Sequence, residues 1–403
     1  MIRFITIFYW ILAFVFLVGG SMQLLGILSN TVATLLIGVL MIAMLIGNKT
    51  KVPINYLPFL YLIFIIFISS IINSTSPILA GLYIFMFVGL PFIVYKFMGT
   101  KIVPRINHRK LFRFFLIVGV IQLPVLILQQ TFSALISRIS ARSIAEMDVG
   151  FGTFFLANDH GLCFFLIIMI IILLYQDTYV KKKNKIWYVA CFSLTVALGH
   201  SNISLLLLLI VFAFYFVSKL NIGSAILSVI GLAGVYVLII SIGPLNEIFE
   251  SKFEFFNKQV VNKQQDVFEA QRKVDNHLAD RTDIIIYYTV QELKLIGSGP
   301  YDYFNPIKGE FKNMTNFSQY IWFYNDIGIF GTISVIFIYL SLYLQNYRLN
   351  NYRALILILM VVYSLFTNTL SDLSFNIIFS YFLLKDSDQL TNKNHELSLH
   401  TIS

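Results

Sequence analysis

Long apolar runs follow one another along the chain, at 4–22, 31–47, 55–73, 79–97, 111–130, 158–175, 187–201, 203–218, 224–243, 317–344, 354–370 and 373–384. A helix that crosses about 30 Å of hydrocarbon needs about 20 apolar residues, so this pattern predicts membrane-spanning helices, roughly twelve in all. The runs at 187–201 and 373–384 are short for a bilayer. The first run follows Arg3 with no clear small-residue cleavage site, so it reads as a span and not as a leader. The predicted fold class is all-α: a polytopic membrane protein with one large extracytoplasmic loop carrying amphipathic helices.

That loop, 244–316, alternates charged and apolar residues. Its first half, from Glu247 to His277, spaces Phe249, Phe253, Phe256, Val260 and Val267 as an amphipathic helix lying on the membrane or over the bundle would. A second helix is predicted from Asp280, as N-cap, through Ile296, ending at Gly297-Ser-Gly299-Pro. The organisation expected is an N-terminal transmembrane bundle over 1–243, the loop over 244–316, C-terminal transmembrane helices over 317–384 and a polar tail over 385–403.

Composition agrees with the pattern. Only 12% of the residues are charged, against about 25% in soluble domains, and 58% are hydrophobic. So much apolar surface exceeds what one aqueous core hides, and lipid must be the solvent for most of it. The net charge of +9 has the sign of a nucleic-acid binder, but its placement argues for a membrane and against nucleic acid. No Asp or Glu precedes Glu146, while Lys and Arg gather in short segments between apolar runs. With the N-terminus cytoplasmic, those inside segments hold Lys49, Lys51, Lys96, Lys101, Arg105, Arg109, Lys110, the lysines of 181–185, Lys219, Arg348 and Arg353. The short outside loops then keep only Arg138 and Arg142. The expected location is the cytoplasmic membrane with both termini cytoplasmic. Cys163 and Cys191 fall in apolar runs and read as small core side chains, not as a disulfide.

The nucleotide-binding, zinc-protease and serine-hydrolase motifs are absent from the sequence, and its six histidines are scattered, so neither cofactor nor metal is expected. What remains is a set of polar groups on the outer side: Arg138, Arg142, Asn158, Asp159, His160, Arg281 and Asp326. Arginine suits phosphate because its planar fork donates two hydrogen bonds and stays charged. Arg138 and Arg142 either do this or snorkel to headgroups and pair with Glu146 and Asp148. Arg281 opens a helix with an apolar face for docking, which favours a functional role.

The order of these features resembles the O-antigen polymerase and O-antigen ligase family, over about Gly150 to Leu384. Gly152-Thr-Phe154-Phe-Leu-Ala-Asn158 is similar to the family's Gly-x-Phe-x-Asn-Pro-Asn, matching at the glycine, the aromatic and the last asparagine. Gly199-His-Ser201-Asn202 stands where the family has Ser-Arg. The Arg281 helix ending in Gly297-Ser-Gly299-Pro-Tyr-Asp-Tyr-Phe304 resembles the family's arginine helix followed by Gly-x-Gly and an aromatic. Phe317-Ser318-Gln319-Tyr320, then Asp326-Ile-Gly328-Ile-Phe-Gly331, is similar to the family's His-Asn-x-Tyr, acidic residue and Gly-x-x-Gly. Phe317 replaces a histidine, and Asn202 an arginine, that the ligases keep. Both departures fit a polymerase better.

The resemblance implies metal-independent glycosyl transfer on the outer face of the cytoplasmic membrane. Undecaprenyl-pyrophosphate-linked oligosaccharide units would be joined into capsule, exopolysaccharide or O-antigen. It implies that Arg281 and Arg142, or Arg138, hold the pyrophosphate. A base or hydrogen-bonding partner for the acceptor hydroxyl would come from Asp283, Asp280, His277 or Asp326. Asp326 reads equally as a cap or partner within its own span, and Asn158 and His160 either bind sugar hydroxyls or satisfy backbone groups. A flippase and a chain-length regulator are the protein partners implied. The other readings are a ligase that attaches finished glycan, and a flippase or transporter of the lipid-linked unit. The latter calls for charged groups along a central path.

Overall fold

The structure, a computed structural model, describes residues 2–46, 54–98, 108–140, 149–154, 159–176, 180–199, 201–219, 272–273, 283, 287, 293–306, 310–311, 318–345 and 351–384. The predicted span at 224–243, most of the large loop and the tail over 385–403 lie outside them. The chain divides into two compact units, one of residues 1–208, 294–310 and 318–403, the other of 209–293 and 311–317.

The regular elements among the described residues are helices, apart from a ribbon of two-residue strands, β1 (Phe304–Asn305) with β2 (Glu310–Phe311). Helix α1 (Ile2–Ala13) runs through a π-helical turn at Phe14–Val18 into α2 (Gly19–Leu24). Then come α3 (Asn30–Ile46), α4 (Leu57–Ile72) and α5 (Pro77–Ile84), which passes a second π turn at Phe85–Gly89 into α6 (Leu90–Met98). After α7 (His108–Thr131) and α8 (Ser133–Ile139) follow α9 (Asp159–Tyr175), α10 (Lys182–Leu198) and α11 (Asn202–Lys219). Beyond the loop lie α12 (Gln319–Gln345), α13 (Asn351–Tyr363) and α14 (Leu373–Leu384).

Among the described residues, four stretches are long and apolar enough to cross a membrane: Phe4–Leu24, Pro77–Met98, Arg109–Thr131 and Gln319–Leu344. Six further apolar helices are shorter, among them α9 and α14. The chain is therefore a helical membrane protein. Its two π turns each sit inside a long span. A π turn leaves carbonyls without their usual partner, and such turns mark places where another group enters the ladder.

The interior is built around α9 and α14. Every residue of α9 from His160 to Leu173 is buried, and a helix that is apolar all round belongs inside. It packs against α10, α13 and α14, while α14 packs also against α6. At 17 residues α9 is about 26 Å long, shorter than the hydrocarbon layer. Surrounding it with protein removes the mismatch that lipid would impose. Lipid is as apolar as leucine, so close van der Waals packing holds such a bundle together. The ring clusters do this here: Phe16 meets Phe115, Phe154 and Phe165 at 5.8, 5.3 and 5.8 Å.

Two predicted spans take a different course. The run expected as one helix over 354–370 stops at Tyr363 and becomes irregular to Asp372. Ser364, Thr367, Asn368, Thr369, Ser371 and Asp372 explain this, because short polar side chains offer the backbone other partners than the helix. Within α12 the backbone breaks at Gly328, which has φ 72 and ψ −169. That conformation excludes most side chains, and the Leu295 carbonyl lies where a Cβ would stand.

Gly328→Ala is expected to cost about 1–3 kcal/mol, the range for an imposed strained backbone. The thermal unfolding midpoint in detergent checks this, with Phe330→Ala, on an exposed side chain, as the comparison expected to move less. An unshifted midpoint for Gly328→Ala would mean that the break tolerates a side chain.

Candidate functional site

Three non-helical segments, 149–154, 294–303 and 364–372, are tied into the bundle of the first unit. Irregular backbone is stable in a membrane protein only where protein satisfies its polar groups. How each segment meets that demand defines the site.

Segment 294–303 crosses the break in α12. The Ile329 N–H, which a continuous helix would spend on Asn325, donates to the Lys294 carbonyl at 2.9 Å. The carbonyls of Asn325 and Asp326 accept instead from the Ser298 and Gly299 N–H groups, at 2.7 and 2.9 Å. From α4, Ser69 Oγ donates to the Asp326 carbonyl at 2.9 Å, and Asn73 Nδ2 donates to the Gly297 carbonyl at 3.2 Å. The Asp326 carboxylate completes the clip. Its Oδ1 accepts from the Tyr303 N–H (2.8 Å) and Asn325 Nδ2 (3.0 Å), and its Oδ2 from the Tyr301 N–H (3.1 Å) and Trp322 Nε1 (2.8 Å). Burial, with Asp326 adding to it, pushes the phenols of Tyr301 and Tyr303 up, so both stay protonated.

Segment 149–154 is held by two glutamines one helical face apart on α7. Gln129 makes a reciprocal pair with Gly152, receiving its N–H at 2.8 Å and donating to its carbonyl at 2.7 Å. Gln122 accepts the Thr153 N–H at 3.0 Å and donates to Thr153 Oγ1 at 2.9 Å. Thr153 Oγ1 in turn donates to the Phe16 carbonyl at 2.6 Å, inside the first π turn. The Phe154 carbonyl occupies the space that a side chain on Gly20 would need.

The third segment joins a layer of buried polar side chains. His160 Nδ1 lies 2.9 Å from Ser201 Oγ, Ser201 Oγ lies 2.7 Å from Ser204 Oγ, and the Tyr363 hydroxyl donates to Ser204 Oγ at 2.8 Å. Next to Tyr363, the Ser364 carbonyl accepts the Gln319 N–H at 3.0 Å. Asp372 caps α14, its Oδ1 accepting the N–H of Ser374 at 2.8 Å and its hydroxyl at 2.5 Å. A Cβ added to Gly161 would lie 3.6 Å from Asp372 Oδ2, so α9 and α14 begin side by side. Asn376 Nδ2 donates to the carbonyls of Thr369, Leu370 and Asp372 at 3.0, 2.8 and 2.8 Å. Ser201 and Gln319, from two of the motifs quoted above, thus lie on connected parts of this network: Ser201 bonds His160 and Ser204, Ser204 bonds Tyr363, and Gln319 bonds the adjoining Ser364.

The other end of α9, about 24 Å away along its axis, has different chemistry. Lys185 Nζ donates to the Gln176 carbonyl at 2.6 Å, Gln176 Nε2 donates to the Tyr352 hydroxyl at 3.1 Å, and Arg353 lies over the Tyr352 ring. Both cations are buried. One end of this helix is hydroxyl-rich, the other basic.

Of the residues singled out from sequence, Arg281, Arg142, Asn158, His277 and Asp280 lie outside the described residues. Arg138 is exposed on α8. In the second unit, Asp283 is buried and pairs with Lys273 at 3.5 Å. His160 joins the polar layer, with Asp159 Oδ2 3.9 Å from its Nδ1. Asp326 accepts hydrogen bonds from Trp322 and Asn325 of its own helix and from the Tyr301 and Tyr303 N–H groups. Sequence reasoning did not single out Gln122, Gln129, Ser204, Tyr363 or Gln319 as site residues. Polar residues recurring inside or at the ends of apolar runs were the available signal. Among the described residues, no group of three His, Cys, Asp or Glu side chains could hold a metal ion. No protein-family model matches the sequence, and a search of curated proteins finds no match.

Asp326→Asn keeps the shape but turns an amide N–H₂ toward groups that are themselves donors. Each buried donor left without an acceptor costs about 1–3 kcal/mol. The variant should unfold at lower temperature and be cleaved faster within 294–303 in limited proteolysis, with Asp326→Ala affected at least as much. Wild-type cleavage rates in both would show that the clip does not depend on the carboxylate.

Proposed function

We propose that the protein is a polymerase of lipid-linked oligosaccharides, acting at the outer face of the cytoplasmic membrane. On this reading the short apolar helices complete roughly twelve crossings, with both termini inside. The observation that carries it is a chain of buried polar groups at one end of α9: His160, Ser201 and Ser204 reach Tyr363, and Gln319 bonds the adjoining Ser364. Ser201 and Gln319 come from motifs that carry the family resemblance, and His160 follows two residues after another.

In the reaction, an acceptor hydroxyl at the end of one repeat unit attacks the anomeric carbon of the growing chain. The bond from that carbon to the pyrophosphate oxygen breaks, undecaprenyl pyrophosphate leaves with the electron pair, and the hydroxyl proton goes to a base. Pyrophosphate needs charge stabilisation more than a proton, which is the role proposed for Arg281 and Arg142, or Arg138. Asp326 accepts four hydrogen bonds and Asp283 is paired with Lys273, so as bases they are weaker candidates than His277, Asp280 or His160. A flippase delivering the units and a chain-length regulator are the partners this activity calls for.

A transporter reading needs polar groups along a central path. The central helix α9 is apolar and buried from Leu162 to Leu173, which favours transfer at one face over passage through the middle. A ligase would share the donor site and differ in its acceptor.

Arg281→Ala and Arg281→Lys, expressed to wild-type level in a strain lacking the gene, test the proposal. The expected outcome is single repeat units accumulating on the carrier and no polymer ladder on a gel, with lysine rescuing poorly because it lacks the planar fork. An unchanged ladder would remove Arg281 from the site. A normal ladder in the strain lacking the gene would remove the polymerase reading itself.

A further inference from the structure

We propose that Gln319 donates a hydrogen bond to the substrate, and that the layer around it receives an uncharged, hydroxyl-rich part, the accepting sugar. This inference rests on the polymerase reading. Gln319 is fully buried at the first position of α12. Its backbone N–H is spent on the carbonyls of Ser364 and Thr367, at 3.0 and 3.3 Å. Its side-chain Oε1 accepts the Leu370 N–H at 3.2 Å, which determines which end of the amide is oxygen. The other end, Nε2, is buried and finds no acceptor among the described residues. Flipping the amide would set its N–H₂ against the Leu370 N–H, so the side chain cannot relieve itself. Buried donors are paired almost without exception, and an orphan of this kind points to a ligand atom that completes it.

The start of α12 supplies a second reason to expect an oxygen there. Helix N-termini carry partial positive charge and favour acceptors. Either a phosphate or a sugar oxygen would satisfy that condition, and the neighbouring side chains separate them. Gln319 is bonded to segment 364–372, whose Thr367, Asn368, Ser371 and Asp372 are buried, and that segment adjoins Tyr363, the end of the His160–Ser201–Ser204 chain. Among its described residues it offers no lysine or arginine. Among the described residues a phosphate would face a carboxylate with no cation beside it. A sugar hydroxyl can accept from Gln319 Nε2 and donate its own proton to a neighbouring oxygen. Pyrophosphate then belongs with the arginines and the accepting sugar with Gln319.

The test uses the full chain in nanodiscs, supplied with lipid-linked repeat units extracted from the strain that lacks the gene. Gln319→Glu keeps the acceptor for Leu370 and loses the donor, while Gln319→Met keeps the volume without either. Both should raise the apparent KM for the repeat unit about tenfold, the ratio for one neutral hydrogen bond, with kcat within about twofold. Inorganic pyrophosphate should inhibit wild type and both variants equally. If KM is unchanged in the variants while wild type polymerises, Gln319 does not touch substrate and the inference falls. A purely structural glutamine would lower the thermal midpoint and leave KM alone. If inhibition by pyrophosphate weakens in parallel with KM, Gln319 contacts phosphate, and the sugar assignment is overturned. If one variant fails to fold, the other carries the same readings. Should wild type itself make no polymer, the polymerase reading fails first.

Discussion

A break in a membrane helix leaves backbone donors and acceptors exposed to a solvent that cannot satisfy them, and the response to that break at Gly328 organises much of this bundle. Segment 294–303 is laid into the gap so that its carbonyl at Lys294 and its N–H groups at Ser298 and Gly299 replace the missing helical partners. The Asp326 carboxylate then gathers two more backbone N–H groups of the same segment, so a single side chain holds both the broken helix and the strand that mends it. Hydrogen bonds to a charged or strongly polar group away from water are among the stronger ones available, about 1.5–3 kcal/mol each. They are also directional, so they define the path of the chain where it returns from the large loop.

The same requirement explains the other two irregular segments. Gln122 and Gln129 serve Gly152 and Thr153 in place of secondary structure, and a carbonyl freed by the π turn at Phe14–Val18 accepts from Thr153. Along 364–372 the segment's own hydroxyl and amide side chains, with Asn376 and Gln319, satisfy the backbone. Each segment is thereby rigid, and each brings polar chemistry into an apolar setting where hydrogen bonds are strong.

The two ends of α9 are chemically unlike. One begins with His160 in a chain of hydroxyls that passes through Ser201 and Ser204 to Tyr363; the other ends against Lys185, with Arg353 close to Tyr352. Between them lies a helix with no polar side chain. Such a centre separates the faces of the protein, and it concentrates polar function at the end where the three irregular segments are tied down.

Hydrophobic runs by themselves determined where most helices lie, because the length and apolarity needed to live in lipid are local properties of a segment. The runs at 4–22, 79–97, 111–130 and 317–344 reappear as the four helices of spanning length. The polar residues near span ends, His160 and Asp326 among them, were also legible, since a polar group beside lipid stands out in any reading. What sequence alone left open was the role of each. Whether Asp326 binds substrate or partners its own span depends on what reaches it, and Tyr301 and Tyr303 arrive from the far side of the loop. The end of α13 at Tyr363 was masked by an apolar run that continues past it, and only the competition of several short polar side chains for the backbone stops the helix there. The chain from His160 through Ser201 and Ser204 to Tyr363 was beyond sequence altogether. Hydrogen bonds between residues more than a hundred positions apart depend on how helices pack, and in a bilayer that packing is decided by shape and by the pairing of polar groups, which no single segment encodes.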